Sequence, residues 1–586
     1  MCGIFGYVGH KKEAAELIFE GLKGLEYRGY DSWGIAVKVG EKIAIEKHIG
    51  KIGNTKIKLP KSSVGIGHTR WATHGGVTVA NAHPHLDCTG KIAVLHNGII
   101  ENYQEFKEDL RKKGHVFASE TDTEILPHLI EEFMKTTDFT TAVKNTFNKL
   151  KGLNAIVAVN TLSSEIIAAK NGSPLVVGIG ENEYYVASDA VGILPHTRNI
   201  IFLKDNEMVT LGSSLTLFSL PTGEKIEPHI EKITWKIEQE EMGSYKHFMI
   251  KEINEQPQII RNIAENYSDQ IADLKDVIDK AVGTFFIGAG TAYHACIAGS
   301  YLFSKIAKKH VNMAPASEFN YLEDFLTDQS LIIALSQSGE TIDIIEPLTR
   351  AKKKGSTIVS LVNALGSSIY RMSNYKMLLS AGPERAVAAT KSYIAKLSVL
   401  LMLSYAMAGK MSEARDFLLQ AADEVERILS PKFVKDLKKI VQVLAKKKDI
   451  YTIGRGVSFA TALEAALKIK EVSYIHTEGL AGGELKHGPI ALIEKGTPCI
   501  VFAPKDETHD AIISNATEIK ARGGIIIGIS SVKSSIYDYW INVKDFDSCS
   551  IITQIIPMQL IAYYLALEKG LDPDKPRNLA KSVTVK

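Results

Sequence analysis

Short apolar, β-branched runs at 34–39, 92–95, 155–159, 166–169 and 174–177 punctuate the first part of the chain, each set off by polar turns. Runs of four to six residues with this bias read as strands. Between them, 14–25 and 123–134 repeat their apolar positions at helical spacing. Strands and helices mixed in this way predict an α+β domain with antiparallel sheets. The pattern changes near 235–243, which is polar and acidic, and Gln256-Pro257 follows. Proline disfavours helix at the residue before it, so a linker is expected at 236–256, closing a first domain at 2–235.

Beyond the linker, short buried strands alternate with amphipathic helices, the pattern of a parallel sheet with helical crossovers. The pattern also repeats. TFFIGAG at 284–290 resembles YTIGRG at 451–456, and SLIIALSQSGETID at 330–343 resembles TPCIVFAPKDETHD at 497–510. The offsets, 454 − 288 = 166 and 504 − 336 = 168, nearly agree. A duplicated domain is expected, with copies at 257–430 and 431–575 and a tail at 576–586.

Composition narrows the functional classes. The 586 residues suit three or four domains, with 45% apolar and 23% charged residues. A net charge of +2 without long basic runs argues against a nucleic-acid partner. The longest apolar stretches, such as 331–335 and 524–529, are expected to be too short to cross a bilayer, and the start MCGIFG has no secretory-signal pattern. Five cysteines, an odd number at wide spacing with no CxxC pair, argue against a disulfide framework and fit a reducing cytoplasm.

Cys2 carries the first candidate chemistry. Removal of Met1 would leave a thiol beside its own α-amine, which is substantially neutral near pH 8 and able to act as its base. Asn97-Gly98 ends an apolar run; its amide and backbone N–H suit an oxyanion hole, although in isolation the dipeptide reads as a hairpin turn. Arg70 suits a substrate carboxylate and Asp122 an α-ammonium, with surface ion pairing the plainer alternative for each. His68, His74, His83, His85 and His96 crowd this region, but their spacing matches no metal-binding pattern and no metal is expected.

In the second half, SQSGET at 336–341 follows a strand and opens a helix. Hydroxyls, a glycine turn and free N–H groups there form an anion site, or simply a helix cap. The matching loop at 504–508 has acids instead of serines, so one phosphate site per chain is expected. Glu464, Lys468 and Glu471 share a helical face, which taken alone means ordinary intrahelical ion pairs. His487 offers an imidazole for proton transfer, although a lone loop histidine is ordinarily just solvated.

MCGIFG at 1–6, LEYRGYD at 25–31, GHTRWATHG at 67–75, HNG at 96–98 and SETDTE at 119–124 together resemble class II glutamine amidotransferases. The resemblance is strongest to the glutamine–fructose-6-phosphate aminotransferase (isomerising) family and covers nearly the whole chain. It implies an αββα N-terminal nucleophile hydrolase sandwich followed by two SIS (sugar isomerase) domains with flavodoxin-like parallel sheets. It implies Cys2 as nucleophile, Asn97 and Gly98 as oxyanion hole, Arg70, Thr73, His74 and Asp122 as glutamine ligands, and Trp71 as the gate of an ammonia channel. Ser336, Gln337, Ser338 and Thr341 would hold the sugar phosphate, with Thr291 and Val387 nearby. Glu471 would move the proton between C1 and C2, tuned by Glu464 and Lys468. His487, from the neighbouring subunit of a homodimer, would open the sugar ring, and Lys581 would form a Schiff base with the ketose. No cofactor is implied. Ala292 and Ala389 stand where many members have serine, which puts their sugar contacts in doubt. Another amidotransferase, of the phosphoribosyl or asparagine type, would need a different acceptor domain. A sugar-phosphate-binding regulator with a dead glutaminase half would not need Cys2, Glu471, His487 and Lys581.

Overall fold

The computed structural model describes residues 2–234 and 242–583. Part of the expected linker, 236–241, and the end of the tail, 584–586, lie outside the described residues. The chain divides into two compact units, Met1–Gln239 with Ala580–Lys586, and Glu240–Leu579.

The first unit is built on an eight-stranded and a seven-stranded sheet made of antiparallel pairs. Strand alternation explains the layering. In the strand Gly3–Gly9, Ile4 and Val8 join the apolar cluster between the sheets, whereas Phe5 and Tyr7 face the helix Ala14–Leu25. In Ile92–Gly98, Ala93 and Leu95 face inward, and Ile92 and Val94 pack against the helices Ile125–Met134 and Phe139–Phe147. Helix, sheet, sheet and helix therefore stack as an αββα sandwich, in agreement with the fold implied by the resemblance. The runs read as strands at 34–39, 155–159 and 166–169 lie within Ser32–Val39, Asn154–Asn160 and Ile166–Asn171.

The second unit contains two five-stranded parallel sheets. In each the second strand in sequence lies at one edge, beside the first, and the third to fifth follow on the other side: the flavodoxin-like 2-1-3-4-5 order. The first and third strands begin at Gly283 and Ser330 in one sheet and at Asp449 and Pro498 in the other. Those displacements, 449 − 283 = 166 and 498 − 330 = 168, match the sequence offsets. One apolar cluster, drawing on the helices Lys391–Met407, Met411–Ile428, Ser458–Ser473 and Ser550–Glu568, packs against both sheets.

Two sequence expectations change. Pro257 does not end a helix; it lies inside Phe248–Asn266. Proline cannot donate to the Ile253 carbonyl four residues back, and the Gln256 side chain donates to that oxygen instead, at 2.9 Å. The helix start is capped from afar, because the Asp574 carboxylate accepts the Phe248 and Met249 N–H groups at 2.8 Å each. Second, the longest apolar stretch is not 331–335 or 524–529. The segment Asp547–Glu568 is long and apolar enough to cross a membrane by length and composition, and 89% of an 18-residue window within it is buried inside the fold. A helix surrounded by core has no need of a polar face.

Candidate functional site

A pocket in the first unit is lined by Cys2, Arg70, Trp71, Thr73, His74, Asn97, Gly98 and Asp122, together with His83, His96, Thr121 and Thr123. The sheets bring these together. Register sets Gly3 opposite Thr69, so Cys2 lies beside the end of Val64–Arg70, and Asn97 and Gly98 finish Ile92–Gly98.

The Trp71 N–H donates to Cys2 Sγ at 3.2 Å. Burial pushes the Cys2 thiol up, while that N–H and the Arg70 guanidinium pull it back down. Asn97 Nδ2 donates to the Cys2 carbonyl at 3.0 Å, and His68 Nε2 holds Asn97 Oδ1 at 3.0 Å. With its oxygen taken by His68, the Asn97 side chain turns its NH2 towards Cys2. Burial drives the pKa of His68 down to about 3, so the ring is neutral. Gly98 has φ +136°, and a Cβ there would overlap the Leu153 carbonyl oxygen.

Opposite charges complete the pocket. The Arg70 guanidinium is fixed by the carbonyls of His74 (2.6 Å), Gly75 (3.1 Å) and Gly76 (3.1 Å). Asp122 accepts the Ile100 N–H at 2.8 Å. One cation and one anion beside a sulfur match a zwitterionic amino acid. His68 and Asp31, which accepts the Ala72 N–H at 2.8 Å, are supporting residues that spacing alone does not single out.

A second constellation lies in the second unit. Glu464 and Lys468 have no solvent exposure. Lys468 Nζ is 2.5 Å from Glu471, 3.4 Å from Glu464 and 3.0 Å from Thr291 Oγ1. Thr291 donates to Glu464 at 3.1 Å, and His294 Nδ1 meets the other Glu464 oxygen at 2.7 Å. Burial works against the Lys468 charge, but the two carboxylates overcome it and push its pKa up to about 12. The Glu464 carboxyl is held low against its burial by Lys468 and His294. Sequence spacing grouped the three charges; His294 and the link to Thr291 come from the helix Thr291–Leu302, far away in sequence.

At the end of the strand Ser330–Ser336 the chain turns into the helix Ile342–Lys353. Ser336 Oγ accepts the Gly339 N–H at 3.0 Å and lies 3.4 Å from Thr341 Oγ1. Ser338 Oγ accepts the Glu340 N–H at 3.2 Å. The equivalent turn of the other copy is filled by its own acid: Asp506 Oδ1 accepts the Thr508 N–H at 2.8 Å and its hydroxyl at 2.6 Å.

The comparisons fit both halves. Residues 68–195 match the glutamine amidotransferase domain, and 278–406 and 443–569 match the SIS domain. Over the full length of both chains, the protein is 44% identical to glutamine–fructose-6-phosphate aminotransferase (isomerizing) of Thermococcus kodakarensis and 42% identical to that of Methanothermobacter thermautotrophicus. The chain belongs to this aminotransferase family. Among solved structures, the C-terminal domain of glucosamine-fructose-6-phosphate aminotransferase from Francisella tularensis is 30% identical, with a TM-score of 0.54; the match covers 57% of this chain and all of that one.

The other positions that the aminotransferase resemblance singles out lie in several elements. Val387 is buried, and its N–H donates to the Asp574 carbonyl at 2.9 Å. Ala292, at 7% exposure, offers only a methyl group. His487 is exposed at the end of the 3-10 turn Gly482–His487. Lys581 is half-buried in the terminal stretch grouped with the first unit.

Proposed function

We propose that the chain transfers the amide nitrogen of glutamine to fructose 6-phosphate and isomerises the product to glucosamine 6-phosphate, releasing glutamate. The observation that carries this reading is the pocket in which the Cys2 sulfur stands among Arg70, Asp122 and Asn97, in a chain related end to end to aminotransferases of that name. Glutamine binds with its carboxylate on Arg70 and its ammonium on Asp122, with Thr73 and His74 closing around it. Once Met1 is removed, the free α-amine takes the thiol proton and Cys2 attacks the amide. The oxyanion is received by Asn97 Nδ2 and the Gly98 N–H, each worth about 3–4 kcal/mol. Ammonia leaves, and water releases glutamate from the thioester.

In the SIS half, the 336–341 loop holds the sugar phosphate. Lys581 forms the Schiff base with the ketose, the role that the family resemblance of the terminal motif implies, while Lys468 is kept as an ammonium by Glu464 and Glu471. Glu471 shuttles the proton between C1 and C2, with Lys468 offsetting the charge that develops. His487 of a second copy opens the ring, which makes the working unit a homodimer. Trp71 gates the internal transfer of ammonia.

The test is the purified Cys2→Ala chain. Glutamine-dependent formation of glucosamine 6-phosphate should be lost while sugar isomerisation continues; synthesis from glutamine at the parent rate would overturn the reading.

A further inference from the structure

Away from both constellations, four side chains of the first unit point their donor atoms at one another: Cys88, His115, His128 and Glu131. Cys88 sits at the exposed turn between the strands His85–Leu86 and Ile92–Gly98. Asp87 pins that turn by accepting the Lys91 and Ile92 N–H groups, both at 2.7 Å. His115 follows the helix Tyr103–Lys112, and His128 and Glu131 lie three residues apart on Ile125–Met134. None of the five histidines that crowd 68–96 takes part.

The spacing is that of a coordination polyhedron. Cys88 Sγ is 3.5 Å from the Nδ1 of each histidine, and the two Nδ1 atoms are 3.2 Å apart. Glu131 Oε2 is 3.2 Å from His115 Nδ1 and 3.6 Å from His128 Nδ1. Sulfur at about 2.3 Å and nitrogen or oxygen at about 2.0–2.2 Å around a tetrahedral zinc lie roughly 3.3–3.6 Å from one another. The observed edges cluster about that range.

The outer atoms agree. His115 Nε2 is 2.9 Å from Glu132 Oε1, and His128 Nε2 is 4.0 Å from Glu124 Oε1. The carboxylate hydrogen-bonded behind His115 selects the tautomer with its proton on Nε2, leaving that ring's Nδ1 lone pair aimed at the centre; behind His128 the carboxylate stands beyond hydrogen-bond reach. Two lone pairs, a thiol sulfur and a carboxylate oxygen facing one another repel unless a cation joins them. The donor set also selects the cation: sulfur and imidazole favour zinc over calcium or magnesium. Thiolate and carboxylate together neutralise its charge.

We propose that Cys88, His115, His128 and Glu131 bind one Zn²⁺ in a closed, structural site, with Glu132 as a positioning residue behind His115. The ion would tie the turn preceding Asn97 and Gly98 to the helix that follows Asp122. Such a site would stand apart from the five histidines for which the sequence leads to no expectation of metal.

The test uses the untagged full-length chain, saturated with zinc and passed through metal-free gel filtration. Metal analysis should find one zinc per chain, and far less in Cys88→Ser, a change at an exposed turn that leaves the fold intact. Glu132→Gln should weaken zinc binding roughly 10–100-fold. Cobalt substituted for zinc should give intense tetrahedral bands and a thiolate-to-metal charge-transfer band that Cys88→Ser abolishes. Equal zinc retention by the parent chain and Cys88→Ser, or a weak octahedral cobalt spectrum in the parent, would overturn the proposal.

Discussion

Replacing Lys468 with Met would leave Glu464, which has no solvent exposure, without its principal counter-charge. Two routes give the size of the effect. The rise of the lysine from its ordinary value to about 12 corresponds to about 2 kcal/mol of preference for the charged form. Truncation costs more, because a carboxylate remains in a space built for a pair; breaking a buried pair from one side costs about 3–5 kcal/mol. His294, 2.7 Å away, makes up part of the loss, so the lower end of that range is expected. The assay is urea unfolding of the full chain, following the transition of the second unit. The double change Glu464→Gln with Lys468→Met should recover much of the stability, since the fully buried carboxylate is then gone and only the partly exposed Glu471 lacks its partner. The pH dependence has a definite sign. The Lys468 contribution is complete below the unfolded lysine value of about 10.4 and fades as pH rises through about 12. The Glu464 contribution is present at neutral pH and fades in acid, as the pH falls through its lowered pKa. A Lys468→Met chain as stable as the parent, or a double variant as damaged as the single one, would refute the reasoning.

Gly98→Ala, whose Cβ would overlap the Leu153 carbonyl, should cut glutamine hydrolysis by about 10²–10³ while leaving isomerisation of the sugar phosphate unchanged in a coupled assay. Gly339 has φ +65° and a Cβ there would overlap the Ser367 hydroxyl; Gly339→Ala should raise the KM for fructose 6-phosphate about 5–30-fold, the equivalent of the roughly 1–2 kcal/mol of a left-handed residue, with glutaminase activity intact. His68, His83 and His85 are buried and held neutral by desolvation. The unfolded chain protonates them below about pH 6.5, so the first unit should lose stability as pH drops from there, by up to about 1.4 kcal/mol per pH unit for each ring. A flat profile from pH 7 to 5 in thermal melts would contradict this.

Much of the first pocket was legible in order along the chain. Cys2, Arg70, Asn97 and Asp122 each stand at the end of a strand or in the turn before a helix, and short motifs mark such places. The duplicated sheets were legible because a strand ending in Gly-x-Gly keeps its apolar pattern after a copy of 166 residues' displacement has diverged. What escaped was long-range. His68 matters through a hydrogen bond to Asn97, 29 positions away, and His294 through one to Glu464, 170 positions away. Local spacing carries no trace of either. Pro257 misled for a different reason: the residue that repairs the helix is its neighbour Gln256, acting through a side chain rather than the backbone. The cluster of Cys88, His115, His128 and Glu131 spans 44 positions, counting both ends, and a hairpin, a loop and a helix must meet before it exists.

The apolar cluster common to both parallel sheets has a consequence for how the duplicates diverged. Neither copy has to form its core alone, and the two turns differ accordingly: in the second copy Asp506 accepts the Thr508 N–H and hydroxyl itself. One copy carries the serine-rich turn at 336–341, the other the helix bearing Glu464, Lys468 and Glu471, and the hydrogen bonds of both Glu464 and Lys468 to Thr291 tie that helix to the first copy, so a change on either side is felt by the other.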